Sequence, residues 1–246
     1  VATKRNPKLD GTVLWDCIVQ TGQCPQNCNQ CFFNRPDAYY VPIEELPLIP
    51  DPEEVMGNGI VRMNCGHDSN IDFEKVVAVA STYRQVFFNT SIPKLKHFPG
   101  PVVFTANPRE EERATLIVPP DNLMFVRLRT SGTNLDLIDW AVNRYTEWRV
   151  PVVITMMAYY SQEPRVDENE VNKFGGDLIT TDCYKWRVRH INSYWCPTPA
   201  FMRAVMDRYA DNRLVTLCGS LNSNLCRDCH NCETYYSQTL KRLRGE

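Results

Sequence analysis

The chain has 246 residues, 43% of them hydrophobic and 11% aromatic, enough to bury a substantial core in one principal domain. Its formal net charge of -2 predicts neither a nucleic-acid nor a membrane partner from the whole-chain balance. No apolar run reaches the roughly 18 residues of a membrane span, and the amino end, VATKRNPKLD, carries no secretory apolar region, so the sequence reads as soluble and cytoplasmic.

In chain order, short β-rich runs alternate with helix-like stretches, which predicts an α/β fold with a parallel sheet covered by helices. TVLWDCIVQ (12–20) is the first strand candidate, and a cysteine-rich loop follows it. The Pro-rich VPIEELPLIPDPEEV (41–55) predicts a surface connection, because proline lacks an amide proton and restricts the residue before it. IVRMNC (60–65) is the second strand candidate. DFEKVVAVASTYR then predicts a helix whose Phe73, Val76, Val77 and Ala80 form one apolar, core-facing stripe. QVFFNT (85–90), GPVVFTAN (100–107) and NLMFVRLRTSGTN (122–134) supply three further strand candidates. LDLIDWAVNRYTEW follows as a helix with Leu135, Ile138, Val142 and Tyr145 on one face. VPVVITMMAYY (150–160) and RLVTLCGS (213–220) complete the series. Right-handed crossovers between adjacent parallel strands curl such a series into a partial or full (β/α) barrel over 1–220, with ligands at the carboxyl ends of the strands.

The weakly patterned stretch 161–197 is long for a linker and predicts an insertion near the open face. Lys185, Arg187, Arg189 and His190, interleaved with Trp186 and Tyr194, suit phosphates and stacked bases, and equally a strand with a solvated basic face. Residues 221–246 read as a cysteine-rich extension ending in a helix, with Tyr235, Tyr236, Leu240 and Leu243 to anchor it.

Eleven cysteines, most of them in two short clusters, argue for metal in a reducing compartment; a secreted disulfide framework is the alternative. In GQCPQNCNQCFFNR (22–35), Cys24, Cys28 and Cys31 leave a tetrahedral site one ligand short. Zinc with a distant fourth ligand would make this a structural staple. The C-x3-C-x2-C spacing in CPQNCNQC, in the loop after the first strand, resembles the signature of the radical S-adenosylmethionine (radical SAM) superfamily. The resemblance implies a barrel of radical SAM type over roughly 12–220, in which three thiolates hold a 4Fe-4S cubane whose fourth iron is chelated by S-adenosyl-L-methionine. It implies an enzyme that reductively cleaves this cofactor to a 5'-deoxyadenosyl radical, which abstracts hydrogen from a peptide or small-molecule substrate. A flavodoxin or ferredoxin would donate the electron. A nucleic-acid-modifying enzyme of the same superfamily, or a non-enzymatic zinc or iron-sulfur scaffold, are the alternatives.

In the family a glycine-rich turn after the second strand meets the methionyl amino group; NCGHDSN occupies that position here, with Gly66 the expected contact, while the family's usual acidic residue is not in register and Asp68 stands out of its place. Asn89, Thr90, Arg127, Arg129, Ser131 and Thr155 stand at or near strand ends, as further cofactor-binding candidates. Arg127 and Arg129 share a strand face, and either has the chemistry to pair with the cofactor carboxylate. His67 is a proton donor or a cap for the next helix, near Asn70 and Asp72.

LCGSLNSNLCRDCHNCETYY (217–236) sets Cys218, Cys226, Cys229 and Cys232 at the end of the last strand and just beyond it, suiting a second 4Fe-4S cluster or a structural zinc. This placement resembles the auxiliary-cluster extensions of several radical SAM enzymes, and implies a cluster near the barrel mouth. His230 has the chemistry to replace one of these cysteines. Cys17, Cys65, Cys183 and Cys196 read most simply as small buried hydrophobes, with Cys17 and Cys65 also close to the predicted pocket.

Overall fold

The computed structural model describes residues 4–28, 31–34, 40–55, 57–106, 118–132, 134–160, 183–188, 193–223 and 225–246. Every one of the seven predicted runs outside 161–197 contributes a strand to a single parallel sheet. These are β1 (Leu14–Cys17), β2 (Ile60–Met63), β3 (Val86–Thr90), β4 (Val102–Ala106), β5 (Leu123–Thr130), β6 (Val152–Met156) and, last in the chain, β10 (Val215–Leu217). The spatial order β1-β2-β3-β4-β5-β6-β10 follows the chain without reversal, an order compatible with a partial (β/α) barrel.

Helices cover both faces, as a parallel sheet requires. On one face lie α1 (Phe73–Ala80), α2 (Leu135–Glu147) and α3 (Pro199–Asp207). Their stripes, including Val76, Ala80, Ile138, Val142, Tyr145, Phe201 and Val205, pack on Val61, Met63, Phe88, Phe104, Val126, Leu128 and Ile154 of the strands. Thr198 starts α3 by accepting the amide of Phe201 at 3.2 Å, with Pro199 pre-set for the first turn. The opposite face carries Leu14, Ile60, Phe87, Val103, Phe125 and Val153, and α4 (Asn231–Arg244) lies across them with Tyr235, Tyr236 and Leu240. Leu243 does not help: it is exposed on the last turn of α4, which meets the chain at the amino-terminal end of β5. There Arg242 donates to the carbonyls of Asp121 and Leu123 instead, at 3.0 and 2.6 Å.

The Pro-rich stretch is more than a surface connection. Leu46, Leu48 and Pro50 are buried on alternate positions, and Leu48 exchanges backbone hydrogen bonds with Ile18 at 2.7 and 2.9 Å. An extended segment needs no helical amides, so its prolines are compatible with one buried side. Within 161–197, β7 (Tyr159–Tyr160, just before it), β8 (Tyr184–Val188) and β9 (Ser193–Pro197) form a separate antiparallel sheet in the order β7-β9-β8. Lys185 and Arg187 are exposed on β8, while Arg189 and His190 lie outside the described residues. No described helix is long and apolar enough to cross a membrane.

Candidate metal centres

Residues paired in register on parallel strands point to the same side, so the α4 face can be read row by row. Leu14 pairs with Ile60, and Val103 with Phe125, in the apolar row. Two residues further along, Asp16 pairs with Arg62 and Thr105 with Arg127; one step beyond that, Arg129 pairs with Thr155. The face therefore changes from apolar to charged toward the carboxyl ends of the strands. Both cysteine groups meet this charged half, at different depths.

The first group sits at the carboxyl edge. Two successive turns wrap its loop, with Asn27 N–H donating to the Cys24 carbonyl at 3.2 Å and Cys31 N–H to the Cys28 carbonyl at 3.1 Å. Cys24 is buried against Ile18, Phe33 and Leu46, whereas Cys28 and Cys31 are half-buried. Burial pushes the Cys24 thiol up to about 11, and its interactions with Cys28 and Cys31 add to that rise. Burial also raises the Cys28 thiol, opposed by the guanidinium of Arg129 and by a hydrogen bond with Ser91. The three thiols are thus close enough to oppose one another's ionisation, and a bound cation would relieve that opposition.

The turn after β2 holds this loop in place. His67 Nε2 donates to the Gly22 carbonyl at 2.8 Å, which fixes the tautomer, and its ring meets Phe33 edge-on with centroids 5.2 Å apart. It does not cap α1, whose N-cap is Asp72 without a side-chain hydrogen bond. Gly66 lies so close to Phe33 that an added Cβ would fall 2.3 Å from the ring. Buried Asp68 accepts four hydrogen bonds: Oδ1 from Thr90 Oγ1 at 2.6 Å and Asn70 N–H at 2.9 Å, Oδ2 from Ser91 N–H at 2.7 Å and Ser91 Oγ at 2.9 Å. Asp68 and Thr90 are therefore committed to clamping the turn onto β3. Asn89 donates to the Met63 carbonyl at 2.9 Å but leaves its buried Oδ1 without a partner among the described residues, and Thr155 Oγ1 is likewise unpartnered. Ser131 N–H donates to Asn134 Oδ1 at 2.8 Å, and Arg129 Nε approaches Met157 Sδ at 3.0 Å.

The second group lies deeper. Cys218, Cys226, Cys229 and Cys232 line one cavity of about 30 Å³ with Arg62, Arg127, Phe125 and His230. Cys226 and Cys232 pack on the apolar row beneath, so the group sits at mid-depth on the α4 face rather than at the mouth expected from the sequence. The reason is α4: its tyrosines enter the apolar row and draw the preceding loop in with them. Asn231 secures the entry by donating to the Leu217 carbonyl at 2.8 Å. Burial pushes the Cys232 thiol up to about 12 against the opposing pull of Arg127 and Arg62, and raises Cys226 against that of Arg62. Cys218 is exposed, and His230 pairs with Glu233 through Nδ1 at 2.7 Å.

The two arginines of β5 are thus separated by depth. Arg129 faces Cys28 of the first group, and Arg127 lines the cavity of the second. Sequence reading passed over Asp16 and Arg62, a buried ion pair in which Asn6 also donates to Asp16 at 2.7 Å. A charged residue at corresponding positions of two adjacent strand candidates was the available signal. Cys65 is not an isolated core thiol: it is half-buried and interacts with Arg62, Asp16, Arg127 and Cys226. Cys17 is fully buried in the helix-side core, as expected, and Cys183 packs against that core.

Soft thiol donors gathered in two groups, each beside a guanidinium, have the chemistry for iron-sulfur clusters or zinc. Among the described residues, no three or more His, Cys, Asp or Glu side chains are set in the arrangement of a single metal ion. Compared with family models, curated proteins and solved structures, the chain gives no significant match.

Proposed function

We propose that this chain is a radical SAM enzyme acting on a peptide or small-molecule substrate, with a second metal centre in its carboxyl-terminal segment. The observation that carries this reading is the gathering of Cys24, Cys28 and Cys31 in the loop directly after β1, at the carboxyl edge of a sequentially ordered parallel sheet. Ligands of such sheets collect at that edge. When bound, a 4Fe-4S cluster and S-adenosyl-L-methionine would supply reductive carbon-sulfur cleavage and a 5'-deoxyadenosyl radical.

The chain's own residues would hold and orient these groups. The three cysteines supply thiolates, and Arg129, beside Cys28, supplies a cation for the cofactor carboxylate. Asn89 Oδ1 and Thr155 Oγ1 are buried acceptors without partners among the described residues, suited to an amino or hydroxyl donor. Gly66 keeps the turn after β2 close enough to Phe33 for its backbone to approach the same space. His67, held neutral by burial, pins the loop through Gly22 rather than supplying a proton. This chemistry requires a one-electron reductant, a role that a flavodoxin or ferredoxin would fill.

Anaerobic reconstitution followed by a cofactor-cleavage assay tests the proposal. Cleavage of S-adenosyl-L-methionine is expected in the wild-type chain and absent after Cys24, Cys28 and Cys31 are replaced by alanine. RNA and DNA binding through the exposed Lys185 and Arg187 would show a salt dependence that weakens in Arg187→Ala. Binding of that kind would move the substrate class to nucleic acid.

A further inference from the structure

The second cysteine group rests against two cations that differ in how they are paired. Arg62 is buried and bound to Asp16, yet its Nη1 reaches within 3.9 Å of Cys226 Sγ. Arg127 makes no ion pair with a carboxylate among the described residues; its contacts are Thr105 Oγ1 at 3.4 Å and the Phe125 ring, 5.8 Å from the guanidinium carbon. Beside it stands Cys232. A half-buried guanidinium without a carboxylate is costly to desolvate unless something anionic shares its space. Metal binding would hold the four sulfurs of this cavity as thiolates, and a tetrathiolate around a divalent ion carries a net negative charge.

We infer that Arg127, assisted by Arg62, is a positioning and charge-compensating residue of the carboxyl-terminal metal centre, not a ligand of the cofactor at the first. This rests on the reading that Cys218, Cys226, Cys229 and Cys232 bind metal. Arg62 brings no net charge, because Asp16 neutralises it, so it contributes the N–H···S contact to Cys226. Arg127 brings a positive charge that no carboxylate among the described residues compensates. Outer-shell groups of this kind orient sulfur ligands and typically change metal affinity by about 10- to 100-fold.

The test uses the full chain with Cys24→Ser, Cys28→Ser and Cys31→Ser, so that only the second group binds metal, and Co2+ as the probe, read by its thiolate absorption. Arg127→Gln should weaken Co2+ binding by about 10- to 100-fold, while Arg127→Lys, which keeps the charge, should stay within about threefold. Melting of the metal-free protein supplies the readout that a purely structural arginine would fail. Removing a cation with no carboxylate partner among the described residues should leave the metal-free Arg127→Gln protein as stable as its parent or more so, although its cobalt form loses stability. Equal Co2+ affinity in Arg127→Gln, or equal destabilisation of metal-free and metal-bound forms, would overturn the role given to Arg127. Absence of Co2+ binding in the parent would instead overturn the second metal centre itself. If the triple serine background does not fold, the same ratios are read from zinc retained by the wild-type chain and its Arg127 variants against a chelator.

Discussion

The two cysteine groups share one face of the sheet but are held by different physics. The first is pinned by hydrogen bonds at the turn after β2 and by a small apolar cluster around Phe33, with one arginine beside it. The second is packed onto the apolar row of the sheet through α4, beneath two arginines. A loop held by polar contacts at the sheet edge can change locally without undoing the core. The second group cannot, because the helix that closes its cavity is part of that core. The difference teaches that the first group is held by contacts local to the carboxyl edge of the sheet, whereas the second is tied into the core through α4.

The largest expected effect tests that division directly. Tyr235 and Tyr236 pack at a tilt against Phe125 and Phe87, with ring centroids 5.4 and 6.2 Å apart. Tyr235→Ala or Tyr236→Ala should cost about 3–5 kcal/mol in denaturant unfolding. Metal content of the second group should fall with it while the first group keeps its iron. Loss of iron from both groups alike would break the comparison.

Next comes the clamp under the first loop. Asp68→Ala would leave the Asn70 and Ser91 amides and the Thr90 and Ser91 hydroxyls without their acceptor, and should cost about 1–3 kcal/mol. Gly66→Ala should cost a similar or smaller amount by forcing Phe33 aside. A double-mutant cycle with Phe33→Leu sharpens this: if the collision is the cause, the two changes together should cost less than their sum.

The smallest effect is the pH dependence carried by His67. Burial lowers its pKa below the usual value near 6.5, and its Nδ1 is buried without a partner among the described residues. On acidification the unfolded chain takes up this proton first. Stability from this residue is therefore intact above about pH 6.5 and falls as pH drops through the lowered folded value. Melting temperatures at pH 7.5 and 5 should show a smaller acid loss in His67→Gln than in wild type; an unchanged loss would assign the acid sensitivity elsewhere.

The sheet was legible because its strands are buried on both faces, so runs such as GPVVFTAN and VPVVITMM are continuously apolar and short. The stripes of α1 and α2 were equally plain, since they face one uniform core. What the sequence did not reveal is the path of the carboxyl-terminal segment. Tyr235 and Leu243 look alike in a helical stripe, yet one enters the core and the other is exposed at the far end of the helix, a difference set by where α4 crosses. The same path decides the roles of Arg127 and Arg129. Their shared strand face was readable from alternation, but the depth of about 6.6 Å between them matters only once the second cysteine group is known to lie beneath the first. Arg62 stayed unnoticed for the same reason: a buried arginine becomes meaningful only beside Asp16 and Cys226.

Iron counting coupled to cofactor cleavage tests the central claim most directly. After anaerobic reconstitution, the wild-type chain should hold about eight irons if both groups carry 4Fe-4S clusters, or about four with zinc in the second, and should cleave S-adenosyl-L-methionine under reduction. Replacing Cys226 and Cys229 together should remove only the second set and leave cleavage measurable. Zinc as the sole metal, with no iron taken up and no cleavage, would contradict the account.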